Sequence, residues 1–302
     1  MRRLLAVHAH PDDETLATGV LLAAAGRRGV EAHVLTCTLG EEGEVIPGHL
    51  AHLQGAPGDP LAEHRRDELA AALAALGASG HLLRAAPGRP GTGAGTAYRD
   101  SGMAGAPSAT HPRALVGAPL GEVAARVRDV VEALRPDLVV TYDREGGYRH
   151  PDHVRVHEAT VRAVAALPGP PPLYAVCTPA SWAREDRRWL AEHVPRGAGW
   201  LVPAADEPYP PSVVDDPLVG AVVIDPAAVA AQVAALAAHA TQVVARDGWF
   251  ALSNHVAGRL PGREGFARLD PRTGRVVPPT AGVDPAGVDP AARPDLLDGG
   301  AR

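Results

Sequence analysis

Short apolar runs alternate with longer stretches in which apolar residues recur at helical spacing, from residue 3 to about residue 245. Leu4–His8 and Glu31–Leu39 have the pattern of buried strands, and the stretch between them has helical spacing up to Gly29. A strand, a helix and a strand within about 35 residues form a βαβ unit, which implies parallel strands. The pattern therefore predicts an α/β fold with a Rossmann-like, mostly parallel sheet and helices on both faces.

The alternation has no obvious linker, so we expect one domain over residues 1–258. Further helices are predicted at 62–76, 120–134, 154–167, 181–193 and 226–244, and further strands at 81–83, 136–142, 173–177 and 219–224. Residues 84–118 are rich in Gly, Pro and Ala and are too long for a plain connection, which favours a functional loop near the active site. Beyond residue 259 the periodicity is lost, and 259–302 is predicted to be a peripheral, partly disordered tail.

Composition and charge exclude several classes of protein. The chain has 302 residues, of which 46% are hydrophobic and 21% charged, as in ordinary soluble globular proteins. With 29 basic and 35 acidic residues the net charge is −6, so nucleic-acid binding has no electrostatic basis. All the basic residues are Arg, which excludes a Schiff-base or P-loop lysine. No apolar run approaches the ~18 residues of a membrane span, and we expect a cytoplasmic protein with two reduced, buried cysteines.

The first motif with chemical character follows the first predicted strand. His10, Asp12, Asp13 and Glu14 lie together in HPDDE, where the strand ends and the helix opens. Ligands of open α/β sheets bind at the carboxyl ends of the strands, so these side chains face a candidate site. A carboxylate here also suits a helix N-cap, and capping alone is the alternative interpretation.

A second motif has the same placement. Residues 142–153, YDREGGYRHPDH, follow the strand predicted at 136–142. If the two strands are neighbours, both motifs converge and supply the mixed imidazole and carboxylate ligands that Zn²⁺ accepts. His153 and His157 have the spacing that lets two histidines on a helix face one metal, but HEXXH is absent, and we interpret His157 as a packing residue. The GxSxG, GxGxxG and GxxxxGK[ST] motifs are absent as well.

The segments HAHPDDE (8–14) and GGYRHPDH (146–153) resemble the LmbE-like zinc N-deacetylases. Segments at 36–46, 65–77, 99–105, 139–154 and 234–244 resemble the mycothiol-pathway branch of that family, and the resemblance extends to about residue 255. It implies an LmbE-like fold and a hydrolase that removes the acetyl group from a small amino-sugar substrate, 1D-myo-inositol 2-acetamido-2-deoxy-α-D-glucopyranoside. It implies neither a nucleic-acid nor a membrane partner, and an oligomer is compatible with it.

The resemblance also implies a set of site residues. One zinc ion per subunit, with Fe²⁺ as an alternative, is bound by His10, Asp13 and His153. A metal-activated water attacks the amide with Asp12 as general base. The residues implied to assist at the amide are Tyr148, His150 and Asp152, with Asp152 orienting His150. The residues implied to contact the sugar and inositol are Glu44, Arg65, Asp100 and Met103; Gln242 lies in a matching segment without an assigned role.

Four alternatives to this function stay open at the level of sequence. Two are related enzymes, a mycothiol S-conjugate amidase and a deacetylase of another N-acetylated amino sugar. The third is a divalent-metal phosphohydrolase using the same His/Asp set, which the scarcity of nearby Arg clusters disfavours. The fourth is a sugar-binding protein without catalysis, and the presence of every expected catalytic residue disfavours it.

Overall fold

The computed structural model describes residues 1–84, 95–279 and 289–298. The strands within these ranges are β1 Arg3–His8, β2 Glu31–Thr36, β3 Ser79–Leu82, β4 Leu138–Thr141, β5 Leu173–Pro179, β6 Val213–Val214, β7 Ala221–Ile224, β8 Val244–Arg246, β9 Trp249–Ala251, β10 Ala257–Arg259 and β11 Arg263–Leu269. The α-helices are α1 Asp13–Arg27, α2 Pro60–Leu76, α3 Leu120–Leu134, α4 Gly146–Arg149, α5 Pro151–Ala165, α6 Ala180–His193 and α7 Val229–Ala238.

The main sheet is mostly parallel, which confirms the predicted α/β fold. Its strands lie in the order β3-β2-β1-β4-β5-β11-β7, and β6 pairs with β5. The chain runs outward from β1 through β2 to β3 and then returns to place β4 on the other side of β1. This reversal makes a switch point between β1 and β4, where a crevice opens at the carboxyl ends of the strands. The two sequence motifs follow these two strands.

Each strand of the sheet centre is buried on both faces, which explains its continuous apolar run. In β1, Leu4 and Ala6 pack toward one face, in a cluster with residues of α1, α2 and α7. Leu5 and Val7 pack toward the other face, with residues of α3 and α5. These four side chains are all fully buried. Helices therefore cover both faces of the sheet, as the sequence predicts.

The expectation of a peripheral segment after residue 259 is wrong for Arg263–Leu269. These residues form β11, which lies inside the main sheet and pairs antiparallel with both β5 and β7. Its charged residues interrupt the apolar pattern, so a search for apolar runs misses it. In the fold, Arg263 pairs with Glu185 and Asp186. Leu296 and Leu297 also join the core. Of the predicted tail, residues 280–288 and 299–302 lie outside the described residues.

Glu264 of β11 forms hydrogen bonds to backbone N–H groups of helix α1. The helix is broken at Thr18, whose φ is −137°, and the Glu264 carboxylate accepts hydrogen bonds from Val20 N and Leu21 N, both at 2.8 Å. A carboxylate is a favourable cap for freed N–H groups at a helix start. Glu264 thus caps the second half of α1 from the neighbouring sheet.

Two further differences from the prediction lie near the end of the alternating pattern. The helix predicted at 226–244 ends at Ala238, and residues 244–259 instead form a small antiparallel sheet of β8, β9 and β10.

Within the described part of the chain, no helix has both the length and the apolar composition needed to cross a bilayer.

Candidate metal centre and active site

The loop after β1 holds its residues in a strained conformation. Asp12 has φ 113°, a region that residues with a Cβ rarely adopt. Its N–H donates to Glu14 Oε2 at 3.0 Å, and its carbonyl accepts from Thr15 N and Leu16 N. The next residue, Asp13, turns back and accepts from His10 N at 2.8 Å. The surrounding hydrogen bonds thus fix a backbone that the residue alone would avoid.

The loop after β4 depends on a glycine and a helix cap. Gly146 has φ +64°, and a Cβ there would lie 2.7 Å from Val154 N, so the turn requires glycine. His150 then serves as N-cap of α5: its Nδ1 accepts from Asp152 N at 3.2 Å. Pro151 occupies the first helical position, which suits a residue without an N–H. This start places His153 in the first turn of the helix, facing the loop after β1.

The three residues implied to bind metal, His10, Asp13 and His153, converge on one position, the candidate metal centre. His153 Nε2 lies 3.2 Å from His10 Nδ1 and 3.3 Å from Asp13 Oδ1, and His10 Nδ1 lies 3.3 Å from Asp13 Oδ2. Ligands about 2.0–2.2 Å from a tetrahedral ion lie about 3.3–3.5 Å from each other. All three side chains are buried. The donor types suit a divalent metal ion, and the two imidazoles contact different oxygens of the Asp13 carboxylate.

The opposite nitrogen of His10 faces two carboxylates. His10 Nε2 lies 3.3 Å from Asp152 Oδ2 and 3.4 Å from Asp100 Oδ1. By the spacing of their ligand atoms, two overlapping groups in the described residues could hold a metal ion, His10 with His150 and His153, and His10 with Asp100 and Asp152; Asp13 belongs to neither group. When Nδ1 of a histidine binds metal, a carboxylate at its other nitrogen fixes the tautomer and orientation of the ring. Asp100 and Asp152 are in place to do this for His10.

The carboxylates dominate the electrostatics of the centre. Burial opposes charge on His10, but Asp100, Asp13 and Asp152 outweigh it and raise its pKa well above the usual value. Burial likewise opposes charge on Asp13, and the nearby His153 and His10 lower its pKa. Desolvation, together with the charge of Asp13, raises the pKa of Asp12 to about 8. Asp12 is thus a stronger base than a carboxylate in water.

The predicted pairing of the Asp152 carboxylate with His150 is not what the structure shows. Asp152 Oδ2 accepts from Ser101 N at 2.9 Å and contacts His10, while only the backbone N–H of Asp152 reaches His150. The reason is the helix start, because His150 takes the acceptor role of an N-cap and its Nδ1 therefore carries no proton. Burial, with the charges of His10 and His153, lowers the pKa of His150 to about 3.

Tyr148 stands at the mouth of the centre. Its side chain is 52% exposed, and its ring lies edge-on to His153 and His150, with centroids 5.1 and 5.9 Å apart. Desolvation and the charge of Asp13 raise the pKa of Tyr148. The hydroxyl therefore stays protonated at neutral pH and can donate a hydrogen bond.

The residues implied to contact sugar and inositol occupy different environments. Asp100 is buried at His10, as described. Arg65 is 1% exposed. Its guanidinium donates hydrogen bonds to the carbonyls of Gly40 and Glu44 and to the Thr241 hydroxyl, and it thereby holds the loop at 40–44. Glu44 and Met103 are exposed. Of the loop predicted at 84–118, residues 85–94 lie outside the described residues, and the rest brings Asp100 and Ser101 to the centre.

Several residues at the centre were not assigned a role from the sequence. Tyr142 donates from its hydroxyl to Asp13 Oδ2 at 2.7 Å and accepts from Ala9 N at 2.7 Å. Its position as the last residue of a predicted strand is a signal that could have identified it. His239, which contacts Glu14 at 2.7 Å, lies far away in the sequence and gave no such signal.

A cavity of about 390 Å³ adjoins the centre. Asp13, Tyr148 and His153 line one end of it, and Trp182, Phe250 and Leu252 are among its apolar lining. The volume falls in the range of sites for small organic ligands. A small molecule can therefore reach the candidate metal ligands from this side.

Comparison with known proteins places the chain among N-deacetylases. The sequence profile of the family described as "PIG-L: GlcNAc-PI de-N-acetylase" matches residues 5–164. The relatives include proteins named 1D-myo-inositol 2-acetamido-2-deoxy-alpha-D-glucopyranoside deacetylase. That of Kineococcus radiotolerans is 46% identical over 262 residues, which cover 80% of this chain and 69% of the relative. That of Thermobispora bispora is 40% identical over 310 residues, which cover 98% of this chain and 96% of the relative.

A solved structure supports the assignment of the fold. The zinc-inhibited form of teicoplanin deacetylase Orf2 is similar over 89% of this chain and 99% of its own, with a TM-score of 0.50 and 22% identity. At this level of identity the similarity concerns the architecture of the chain.

Proposed function

The chain belongs to the PIG-L family, described as GlcNAc-PI de-N-acetylase, and from this membership we propose that it is a zinc-dependent N-deacetylase of mycothiol biosynthesis. Its proposed substrate is 1D-myo-inositol 2-acetamido-2-deoxy-α-D-glucopyranoside. The names of its relatives support this substrate. The observation that supports the chemistry is the convergence of His10, Asp13 and His153 to within 3.3 Å of one another. The carboxylate of Asp12 lies beside this group and is not one of the three proposed ligands.

His10, Asp13 and His153 would hold the metal. A divalent ion there would polarise the amide carbonyl and make water nucleophilic at neutral pH. Two imidazoles and a carboxylate suit Zn²⁺, and Fe²⁺ accepts the same set. Loading the metal-free protein with each ion in turn, anaerobically for Fe²⁺, separates the two.

Asp12 would move the proton. It lies directly beside the ligand Asp13, and no hydrogen bond to its carboxylate is found in the part of the chain that the structure describes. In its ionised form, the Asp12 side chain is therefore free to accept a proton from the attacking water and to pass it to the departing amine nitrogen. Proton transfer by a positioned side chain contributes about 10²–10⁴-fold to the rate.

Tyr148 and His150 would stabilise the charge that develops on the amide oxygen. The Tyr148 hydroxyl keeps its proton, and the ring that carries it packs edge-on against His153 and His150. Because His150 Nδ1 accepts from Asp152 N, the neutral ring carries its proton on Nε2 and donates from there. Both residues thus act as hydrogen-bond donors, and His150 acts without becoming an imidazolium.

The substrate is tested by acetate release. We expect purified protein to release acetate from the inositol glucosaminide fastest, more slowly from N-acetylglucosamine, and not at all after removal of metal by a chelator. Adding back metal should restore turnover. Faster cleavage of a bimane conjugate of mycothiol would instead identify a conjugate amidase, and phosphate release from phosphoesters a phosphohydrolase.

Replacing Tyr148 by Phe removes one hydroxyl from the site. Loss of one donor to a developing oxyanion typically lowers kcat by about 10²–10³-fold, and we expect this decrease with little change in KM. The measurement is steady-state kinetics on the inositol glucosaminide. Arg149→Gln, at an exposed neighbouring position, is the control. A Tyr148→Phe variant that changes only KM would assign Tyr148 to substrate binding.

Replacing Asp100 or Asp152 by Asn should weaken metal binding. Each removes a negative charge from the Nε2 side of His10, and loss of such a partner costs about 10–100-fold in metal affinity. Competition with a chromophoric chelator measures the dissociation constant. Glu44→Gln, at an exposed carboxylate, should leave it unchanged. If Asp100→Asn raises KM and leaves metal affinity intact, Asp100 contacts substrate, as the family resemblance implies.

We place this reaction in the cytoplasm. Cys37 and Cys177 are both buried free thiols, and burial raises the pKa of each. Unpaired cysteines are typical of reducing compartments. The proposed partner is the small-molecule substrate.

A further inference from the structure

The segment that follows α7, residues 239–242, forms hydrogen bonds to the loop that carries Asp12. His239 Nε2 lies 2.7 Å from Glu14 Oε1, although the two residues are 225 positions apart in the chain. Gln242 Nε2 donates to the carbonyl of Pro11 at 2.8 Å. The segment thus contacts the loop on both sides of Asp12.

The contact with Glu14 is transmitted to Asp12. One carboxylate oxygen of Glu14 meets His239, and the other accepts from Asp12 N at 3.0 Å. Glu14 and His239 are both fully buried, so water does not compete for these bonds. The charge of Glu14 overcomes the effect of burial and raises the pKa of His239, which strengthens the pair. His239, Glu14 and the backbone of Asp12 form one continuous path.

The segment is itself anchored to the fold. Thr241 donates from its N–H and its hydroxyl to the two oxygens of Glu68 on α2, at 2.8 and 2.7 Å. Glu68 is buried. His239 and Gln242 are therefore held in place independently of the loop that they contact.

Asp12 needs such support because its φ of 113° is unfavourable for any residue with a Cβ. If the loop relaxed, the carboxylate would move relative to the water that it deprotonates. A misplacement of about 1 Å at a reacting group can cost about 10²-fold in rate. The hydrogen bonds from His239 and Gln242 oppose this relaxation.

We propose that His239 and Gln242 are positioning residues that hold Asp12 in its working conformation and thereby set the rate of proton transfer. The inference rests on the proposed function of Asp12 as general base. It predicts that His239→Leu lowers kcat by about 10–100-fold, with unchanged KM and one metal ion per chain. His239→Gln, whose amide nitrogen can reach Glu14, should retain most of the activity.

A double-mutant cycle with Asp12→Ala separates positioning from general damage. Once the carboxylate of Asp12 is gone, its placement is irrelevant, so His239→Leu should cost less than about twofold further. Losses that multiply in the double variant, or a His239→Leu single variant with normal kcat, would overturn the proposal. If Asp12→Ala alone retains normal turnover, the proposed function of Asp12 fails instead, which is a distinguishable result.

Gln242→Leu keeps the test decisive if His239→Leu does not fold, because it leaves no buried charge unpaired. It should lower kcat in the wild type and be nearly silent with Asp12→Ala. His193→Leu is the matched histidine control, since His193 is exposed and bonds only to the carbonyl of Trp189 among the described residues. Normal kcat in Gln242→Leu would remove Gln242 from the proposal.

Discussion

Asp12→Ala is expected to lower kcat by about 10²–10⁴-fold with the metal still bound. The variant removes the proposed proton acceptor and leaves His10, Asp13 and His153 in place. Steady-state acetate release and metal analysis of the same preparation measure the two quantities. Near-normal turnover with metal bound would show that another group accepts the proton.

Asp12→Gly is expected to change both the activity and the stability of the protein, in opposite directions. It should lose as much activity as Asp12→Ala, yet be more stable, because glycine adopts φ 113° without strain. The free energy of unfolding of the glycine variant should exceed that of the alanine variant by about 1–3 kcal/mol. Denaturant titration of both variants measures the difference. Equal stability of the two would mean that the backbone at this position stores no strain.

His153→Ala should abolish stoichiometric metal and reduce turnover to background. The variant removes one of the three proposed ligands, which lie within 3.3 Å of one another, and a His–Asp pair alone offers too few donors for a tetrahedral site. Metal analysis after gel filtration in metal-free buffer gives the stoichiometry.

The matched control is His157→Ala, one helical turn further along α5. His157 Nδ1 lies 2.8 Å from the carbonyl of Tyr142, so this histidine is engaged away from the centre. We expect its replacement to retain one metal ion per chain and to cost about 1–3 kcal/mol of stability, through an unsatisfied buried carbonyl. Metal retained in His153→Ala but lost in His157→Ala would transfer the third ligand to His157.

Local patterns were sufficient to predict the parallel strands at the centre of the sheet and the two motifs that follow them. Each apolar run of the sheet centre is buried on both faces, so its continuity in the sequence reports its environment directly. His10 and His153 follow strands that became neighbours, and the carboxyl ends of parallel strands share one edge. The convergence of the two motifs was therefore predictable without knowing any side-chain contact.

Contacts made far along the chain were not predictable in this way. The stretch at 226–244 is rich in alanine and favours a helix throughout, but the helix ends at Ala238, where His239 turns to bond Glu14. Asp100 reaches His10 from a loop without periodicity, so nothing local indicates its destination. The misassigned pairing of Asp152 has a similar cause, because the choice between His150 and His10 depends on where α5 begins.

The late position of β11 governs the order in which the molecule can be assembled during synthesis. Until residue 269 has left the ribosome, β5 lacks its antiparallel neighbour and β7 has no strand to join. Unpaired strand edges of this kind promote association between nascent chains. The cap that Glu264 provides for α1, the helix that begins at the proposed metal ligand Asp13, is also missing until then. A chain arrested a few dozen residues early would therefore lack part of its support for the proposed metal centre, although every proposed metal ligand had already been translated.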